Sequence, residues 1–569
     1  MRYRAVAFDY DGTLAHDSHV AEATLEALRR IKASARKIIL VTGRRLSELQ
    51  EIFPACELFD AIVVENGGTL FLAKTRTETP LAAAPPAQLL EEMTRRGVAS
   101  FAVGKVIVAT WHPYEETVLQ IIRDLGLDLQ IIFNKGAVMI LPAGVNKASG
   151  LAAALLELGL SPHNVVGVGD AENDHAFLKM CEASVAVANA LAGLKEQCDW
   201  VTGESRGAGV EEMTERLLQN DLADLSPKLD RHNIALGERE DGTVVSLPPY
   251  NTSVLVAGTS GGGKSTLTNG VIERLGKTGY QYCIIDPEGD YTELEGVAVL
   301  GDAKHAPSTR EVLTTLHHPA ANCVVNLIGV GLADRPAYFE QLLAELLKLQ
   351  SQTGRPHWLV LDESHHILPV ERADELAELT HQFGGRLLVT LEPEHVSRPT
   401  LLGMDLIVAI GKEPQKAIKD FSRLVGEEPP EVPDIKLEPG EAIAWSRKAR
   451  QNAFWFRSYR PALPQKRHIR KYAEGDLGDL AFVFRGPEQK LNLRAQNLMV
   501  FLEIGSGVDD NTWNYHLKNG DVERWMRDVI KDPSLAGQVR AIAEEEGSTA
   551  NASRGAIRRA VEAIYTLPR

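Results

Sequence analysis

Long apolar runs are missing from this chain. Nowhere in its 569 residues does a stretch approach the roughly 20 consecutive apolar residues that cross a bilayer, which excludes a helical membrane protein. The first residues read as a strand ending in carboxylates, unlike a signal peptide, so a cytoplasmic location is expected. Cysteine is scarce as well. Cys56, Cys181, Cys198, Cys283 and Cys323 are scattered, odd in number and without C-x-x-C spacing, so neither a disulfide framework nor a zinc site is readable. Positive charge is in deficit: a net charge of −16 lacks the footprint of a general nucleic-acid binder, although a local basic groove survives such a total. Repeats and low-complexity segments are absent too. What remains is ordinary globular composition, 44% apolar and 24% charged, in a chain too long for one core. Two to four domains are expected.

From Met1 to about Gln219, apolar runs such as YRAVAF, KIILV and NVVGVG alternate with amphipathic stretches such as VAEATLEALRRIK. That alternation predicts a doubly wound parallel sheet, whose ligands gather at the carboxyl ends of the strands. Four polar clusters fall at such ends. In FDYDGTL, Asp9 and Asp11 lie two apart and so point the same way; VTGR brings Thr42, GVNKASGL brings Lys147 at a helix start, and VGVGDAENDHAF brings Asp170, Asn173 and Asp174. These are the parts of a phosphoryl transfer through an aspartyl phosphate. A carboxylate attacks phosphorus only when the phosphate's charge is neutralised, which calls for a hard cation and a fixed positive charge. Asp9, Asp170 and Asp174 suit magnesium, with Asp11 in the candidate ligand set, and Lys147 supplies the charge. Asp11 protonates the leaving oxygen and then activates water, while Thr42 hydrogen-bonds the phosphoryl oxygens.

The order DxDGT, T-G-R, Lys, GDxxND resembles the haloacid dehalogenase (HAD) superfamily of phosphatases. NGGTL (66 to 70), LPAGVNKASGL and SVAVANA look like its Cof and sucrose-phosphatase branch, which implies a type-two α/β cap, here at about residues 78–142, and small phosphorylated metabolites as substrates. In the cap, Trp111, His112 and Tyr114 of ATWHPYEE are candidates for a substrate pocket or for packing.

A second phosphate device follows. VLVAGTSGGGKST is a strand, then Gly258, Thr259, Ser260, Gly261, Gly262, Gly263, Lys264 and Ser265 in the spacing G-x-x-x-x-G-K-[ST], then Thr266 and a helix. Glycines fold the backbone around phosphates, Lys264 reaches the β- and γ-phosphates of ATP, and Ser265 ligates magnesium. WLVLDESHHIL ends in Asp362, for the magnesium shell, and Glu363, for the attacking water. Asp286 in IIDPEGDY faces the nucleotide or begins a turn. GEREDGTVVSL, GTSGGGKST, IIDPEGDY and LVLDESHHIL together resemble the HerA and FtsK-like P-loop ATPases. The resemblance implies a RecA-like domain in a homo-oligomeric ring, commonly a hexamer, often moving DNA. Where such relatives place a glutamine, LLVTLEPEHV has Leu391 between Thr390 and Glu392. Arg386, Arg423 and Arg447 are the candidates for a trans-acting arginine.

The polar stretch QNDLADLSPKLDRHN separates the two patterns, giving expected boundaries of 1–218 for the phosphatase domain, 219–231 for a linker, 232–460 for the ATPase domain and 461–569 for a small, mainly helical accessory domain. In the last, Val522, Trp525, Met526, Val529 and Ile530 share a helix face, and Lys466, Arg467, Arg470 and Lys471 form a basic cluster. The leading expectation is a phosphomonoester phosphatase fused to an ATPase. The alternatives are a nucleic-acid translocase that trims ends and a kinase-phosphatase acting on polynucleotides, with Asp286 as its base.

Overall fold

Three short apolar runs, rich in β-branched residues and almost wholly buried, become β1 (Ala5–Phe8), β2 (Lys37–Val41) and β3 (Ala61–Val64). Burial on both faces is what a parallel sheet covered by helices demands. The chain turns back antiparallel through β4 (Thr69–Leu72) and β5 (Thr77–Pro80). It then leaves the sheet to build an antiparallel one from β6 (Ala102–Val103), β7 (Val108–Trp111), β8 (Leu129–Asn134) and β9 (Ala137–Pro142). Because β5 pairs with β4 in the main sheet, the cap proper starts beyond residue 80. The helix Lys147–Glu157 leads back to β10 (Val165–Gly169), β11 (Ala183–Ala186) and β12 (Trp200–Val201), completing the order β12-β11-β10-β1-β2-β3-β4-β5.

The second sheet has eleven strands. They are β13 (Ile234–Glu238), β14 (Val244–Leu247), β15 (Thr252–Gly258), β16 (Tyr282–Asp286), β17 (Val297–Leu300), β18 (Asn322–Asn326), β19 (Trp358–Leu361), β20 (Gly385–Thr390), β21 (Leu406–Ile410), β22 (Glu441–Ser446) and β23 (Phe454–Ser458). The order is β14-β13-β23-β22-β21-β15-β20-β19-β16-β18-β17, parallel from β21 to β17 and antiparallel beyond. Buried clusters on both faces of each sheet make these two three-layer α/β bodies.

This computed structural model describes all residues except 135, 260–261, 371–372, 392, 450, 462–471, 473–476, 531, 546–548 and 566–569. The chain divides into two compact units, Met1–Leu463 and Pro464–Arg569. The polar stretch between the two sheets is folded, with 3-10 turns at Ala223–Lys228 and Asp230–His232, and it is not the only connection. Arg355 donates to Gly159 O at 2.7 Å, Asn164 Nδ2 to the Tyr250 hydroxyl at 2.7 Å, Arg4 to Gln350 O at 3.1 Å and the Tyr280 hydroxyl to Glu182 at 2.8 Å. Nearly all of these residues precede a strand: Arg4 precedes β1, Asn164 precedes β10, Glu182 precedes β11, Tyr250 precedes β15, Tyr280 precedes β16 and Arg355 precedes β19. The two parallel sheets are therefore joined amino edge to amino edge. Their carboxyl edges, where ligands bind, face away from each other.

The second unit packs the helices Leu498–Gly507, Asp510–Lys518, Asp521–Asp528, Pro533–Glu544 and Ala550–Tyr565 with a hairpin of β24 (Phe482–Phe484) and β25 (Leu493–Ala495). Val522, Trp525, Met526 and Ile530 are buried in its core, and the Trp525 indole donates to Leu480 O at 2.9 Å. The basic cluster Lys466, Arg467, Arg470 and Lys471 lies outside the described residues.

Candidate functional site

The carboxyl edge of the first sheet gathers residues from four stretches. Asp9 follows β1, Thr42 follows β2, Lys147 opens its helix and Asp170 follows β10. Lys147 Nζ lies 2.5 Å from Asp9 Oδ1 and 2.5 Å from Asp174 Oδ1, with all three side chains buried. The other oxygen of Asp174 accepts the backbone N–H groups of Asp170 at 2.8 Å and Ala171 at 2.9 Å, which fixes its direction. Thr13 Oγ1 lies 3.4 Å from Asp170 Oδ1. Asn146 caps the helix through the N–H groups of Ala148 and Ser149, setting Lys147 in the first turn. Gly67 explains part of NGGTL: at φ 103°, a Cβ there would stand 2.0 Å from Asn146 O. Only glycine lets that loop pass so close to the lysine's helix.

One carboxylate oxygen from each of Asp9, Asp170 and Asp174 lies within 4.8 Å of the others, an all-oxygen donor set of the kind magnesium takes. Burial, then the charge of Asp174, push the Asp9 carboxyl well above the usual range, against the pull of Lys147. Burial works against the Lys147 ammonium, but Asp174 and Asp9 outweigh it and raise its pKa. Three carboxylates against one ammonium leave the surplus negative charge that a divalent cation neutralises. Asp11 is not in that group: Arg44 grips both its oxygens at 2.7 Å and also reaches Glu48 at 2.5 Å and Ser18 at 2.9 Å. Arg44, the last residue of VTGR, is left out of the sequence reading, in which only the threonine of that stretch is expected to meet phosphate. Thr42 is buried, and its hydroxyl accepts the Arg44 N–H at 3.2 Å.

The cap sheet separates the aromatic candidates by face. Val108 pairs with Ile140 on the face covered by the helices Ala87–Arg95 and Glu115–Asp124, whereas Met139 pairs with Ala109 and Trp111 with Ala137 on the other. A Cβ at Gly43 would lie 3.5 Å from Met139 Sδ, so this second face is turned toward the loop that carries Thr42. Trp111 stands on it, 60% exposed. His112 instead stacks on Phe133 and pairs with Glu115 at 2.9 Å, and Tyr114 packs against the helix-side cluster.

At the carboxyl edge of the second sheet, β15 runs into the glycine loop, of which Ser260 and Gly261 lie outside the described residues. Gly263 has φ 100°, the left-handed turn that starts the helix Lys264–Lys277. Lys264 donates to Gly258 O at 2.9 Å, with Thr259 O at 3.4 Å, and Ser265 and Thr266 fill the first turn. Gly262 sits tightly over Gly411 at the end of β21. β20 lies between β15 and β19, so Asp362 and Glu363 emerge one strand away from the glycine loop. Glu363 has φ 38°, a left-handed backbone rare for a side chain of this size. His365, unremarked in the sequence, stands 3.6 Å from Glu363 Oε2 and 3.2 Å from Thr390 Oγ1 at the end of β20. Glu392 lies outside the described residues. Asp286 proves to shape a turn, since its carboxylate accepts the N–H groups of Gly289, Asp290 and Tyr291. Arg386 is buried on Ser253 and Thr380 O, Arg447 is bound to Glu427 and nearby carbonyls, and Arg423 pairs with Asp420.

Residues 6–104 and 98–213 match the family model of haloacid dehalogenase-like hydrolases, and residues 245–349 match that of the central domain of the helicase HerA. A phosphoglycolate phosphatase of Methanothermobacter thermautotrophicus is 28% identical over 221 residues, covering 38% of this chain and 99% of its own. The 5-amino-6-(5-phospho-D-ribitylamino)uracil phosphatase YcsE of Bacillus subtilis is 22% identical over 230 residues, covering 36% and 92%. The crystal structure of a haloacid dehalogenase-like hydrolase from Bacteroides thetaiotaomicron aligns over 38% of this chain and 99% of its own at 19% identity, with a TM-score of 0.34. The chain thus carries a HAD-type α/β domain at its amino end, followed by a HerA-like segment.

Proposed function

We propose that the protein is a magnesium-dependent phosphomonoester phosphatase working through an aspartyl phosphate on Asp9, joined to a domain that binds and hydrolyses ATP. The observation that carries the first half is Lys147 held between Asp9 and Asp174, with Asp170 beside them. Magnesium, held by Asp9, Asp170 and Asp174, would neutralise the phosphate. An Asp9 oxygen forms a bond to phosphorus as the ester P–O bond breaks, and the departing alcohol takes its proton from Asp11. Water then loses a proton to Asp11, attacks phosphorus, and releases orthophosphate from Asp9. For this, Arg44 must hand over an Asp11 oxygen, so the Arg44 fork sets where the acid waits before substrate arrives. The relatives' names point to small phosphorylated metabolites, acids and polyols among them.

The ATPase half of the reading rests on Lys264, Asp362 and Glu363 at one carboxyl edge, with the His365 and Thr390 pair beside the acid. Glu363 would serve the attacking water, which a kinase does not need. Subunits would assemble as a ring with ATP between them. Because the sites face away from each other, no phosphate passes directly between them, and ATP would act on the phosphatase through assembly. The experiment is phosphate release from a panel of phosphorylated acids, sugar phosphates and end-phosphorylated DNA, with acid trapping of a phosphoprotein. Release without a trappable phosphoprotein, or unchanged by Asp9→Asn, would sink the covalent reading. ATP hydrolysis that rises with polynucleotides in a salt-sensitive way would favour a DNA-moving role for the second half.

A further inference from the structure

Behind both phosphate sites, the joint between the two sheets buries nitrogen and oxygen donors that neither reaction uses. His163 lies in the turn before β10, Glu182 in the turn before β11, and His232 in the 3-10 turn Asp230–His232. One ligand atom from each lies within 4.8 Å of the other two, and all three residues are buried. His163 Nδ1 is 2.7 Å from Glu182 Oε2, and His232 Nε2 is 3.8 Å from the same oxygen.

Two details set this apart from an ordinary buried ion pair. His232 Nε2 is buried without a hydrogen-bond partner among the described residues, and 3.8 Å is too long for a bond to the carboxylate that it approaches. A buried ring nitrogen left in that state is costly unless something else meets it. The second detail is on the far side of His163, whose Nε2 lies 2.7 Å from Thr278 O. A carbonyl only accepts, so Nε2 carries a hydrogen and Nδ1 is the nitrogen that faces Glu182. That carbonyl brace is how proteins orient an imidazole that ligates a metal. Tyr280 completes the wall: its ring stacks on His163 with centroids 3.7 Å apart, and its hydroxyl lies 2.8 Å from Glu182 Oε2. Arg2 occupies the other oxygen, Oε1.

We propose that His163 Nδ1, Glu182 Oε2 and His232 Nε2 bind one divalent transition metal of the zinc class, fastening the connecting stretch and the end of the Lys264–Lys277 helix to the phosphatase core. Two imidazoles and one carboxylate suit zinc, whereas the oxygen-only group at Asp9 suits magnesium. The fourth position falls to the Tyr280 hydroxyl or to water. In the metal-free protein the His163–Glu182 hydrogen bond stands where the metal would sit.

The test uses the full chain, stripped with a chelator and titrated with cobalt(II), then zinc, in excess magnesium and in an Asp170→Asn background that disables the oxygen site. The expected result is one cobalt per chain with the visible bands of a four-coordinate ion and no thiolate charge-transfer band, displaced by zinc and not by magnesium. His232→Gln should weaken binding by at least about tenfold. Zinc should raise the melting temperature of the parent chain and not that of His232→Gln. Because the variant's fold can suffer, X-ray absorption at the zinc edge on the parent chain gives an independent reading. Imidazole and oxygen scattering supports the site, and sulfur or oxygen-only scattering overturns it. Failure to bind a stoichiometric metal, or equal binding by the parent, His163→Gln and His232→Gln, leaves only a hydrogen-bonded joint and overturns the proposal. With Asp170 intact and magnesium supplied, loss of the zinc-class metal in His232→Gln with phosphatase turnover unchanged separates this inference from the reading of Asp9.

Discussion

Two lysines, each in the first turn of a helix at a sheet's carboxyl edge, are held in opposite ways. Lys147 is clasped by the carboxylates of Asp9 and Asp174, while Lys264 bonds back to carbonyls of its own loop. The first arrangement joins stretches far apart in the chain and exists only once the sheet is complete. The second is built by contiguous residues and needs little beyond the turn itself. Their electrostatics differ accordingly. Three carboxylates around one ammonium call for a cation, whereas a glycine loop, a helix start and an ammonium call for an anion. Substitutions at the two should therefore be separable.

The largest expected effect is the cleanest separation. Asp9→Asn should lower phosphatase turnover by about 10⁴-fold or more while ATP hydrolysis continues, because an amide cannot form the acyl phosphate. Lys264→Ala should do the reverse. Initial rates of both reactions on each variant decide it, and parallel loss of both activities would mean that the sites are not independent. Next comes Glu363→Gln, which should keep ATP bound and slow its hydrolysis by about 10²- to 10⁴-fold. Transfer of the γ-phosphate to a 5′-hydroxyl, in place of release as orthophosphate, would move the domain to the kinase class.

The two regions were also unequally legible in the sequence. Strand runs such as AVAF and VVGVG mark a parallel sheet, and four motifs in order put Asp9, Thr42, Lys147 and Asp170 at its carboxyl edge. Arg44 and Glu65 were missed because their work is directional: one grips Asp11, the other accepts three backbone N–H groups, and neither act leaves a periodic trace. Asp11 and Asp9 share a strand-end spacing, yet the turn after Tyr10 swings Asp11 away to Arg44. His365 and the joint between the sheets were illegible for a different reason. Contacts such as Arg355 to Gly159 are set by which strand edges meet, and strand edges are not written in local pattern.

That joint yields the third prediction. Arg355 is fully buried and donates to Gln281 Oε1, Leu316 O and His317 O on one side and to Gly159 O on the other. Arg355→Ala strands Gln281 Oε1, His317 O and Gly159 O, whereas Leu316 O keeps the Gln281 amide, and at about 1–3 kcal/mol for each acceptor left unpaired a total loss of about 3 kcal/mol or more is expected. Calorimetry should show the two sheets of the parent melting together and those of the variant melting apart. Separate transitions already present in the parent would mean that the joint does not couple them.

The smallest effect concerns the cap, which the phosphatase sheet carries as its own insertion. Glu65 follows β3 with φ 53° and is almost fully buried. Its carboxylate accepts the N–H groups of Lys105 at 2.9 Å, Val106 at 2.8 Å and Ile107 at 3.1 Å, all at the entry to β7. Asn66, next in sequence, accepts from Asn173 at 3.1 Å in the loop that carries Asp170 and Asp174. The backbone between these two side chains thus ties the cap to the loop of carboxylates. Glu65→Gln keeps the shape but turns an amide N–H₂ toward donors, weakening the tie by about 1–2 kcal/mol. The cap should then sit less firmly over the substrate, raising KM by about 3- to 10-fold with a smaller change in kcat, and leaving ATP hydrolysis untouched. Hydrogen exchange at residues 105–107 should quicken in the same variant. Unchanged exchange there would mean that the β7 hairpin is held by its packing alone, and that Glu65 is a buried turn residue with no part in positioning the cap.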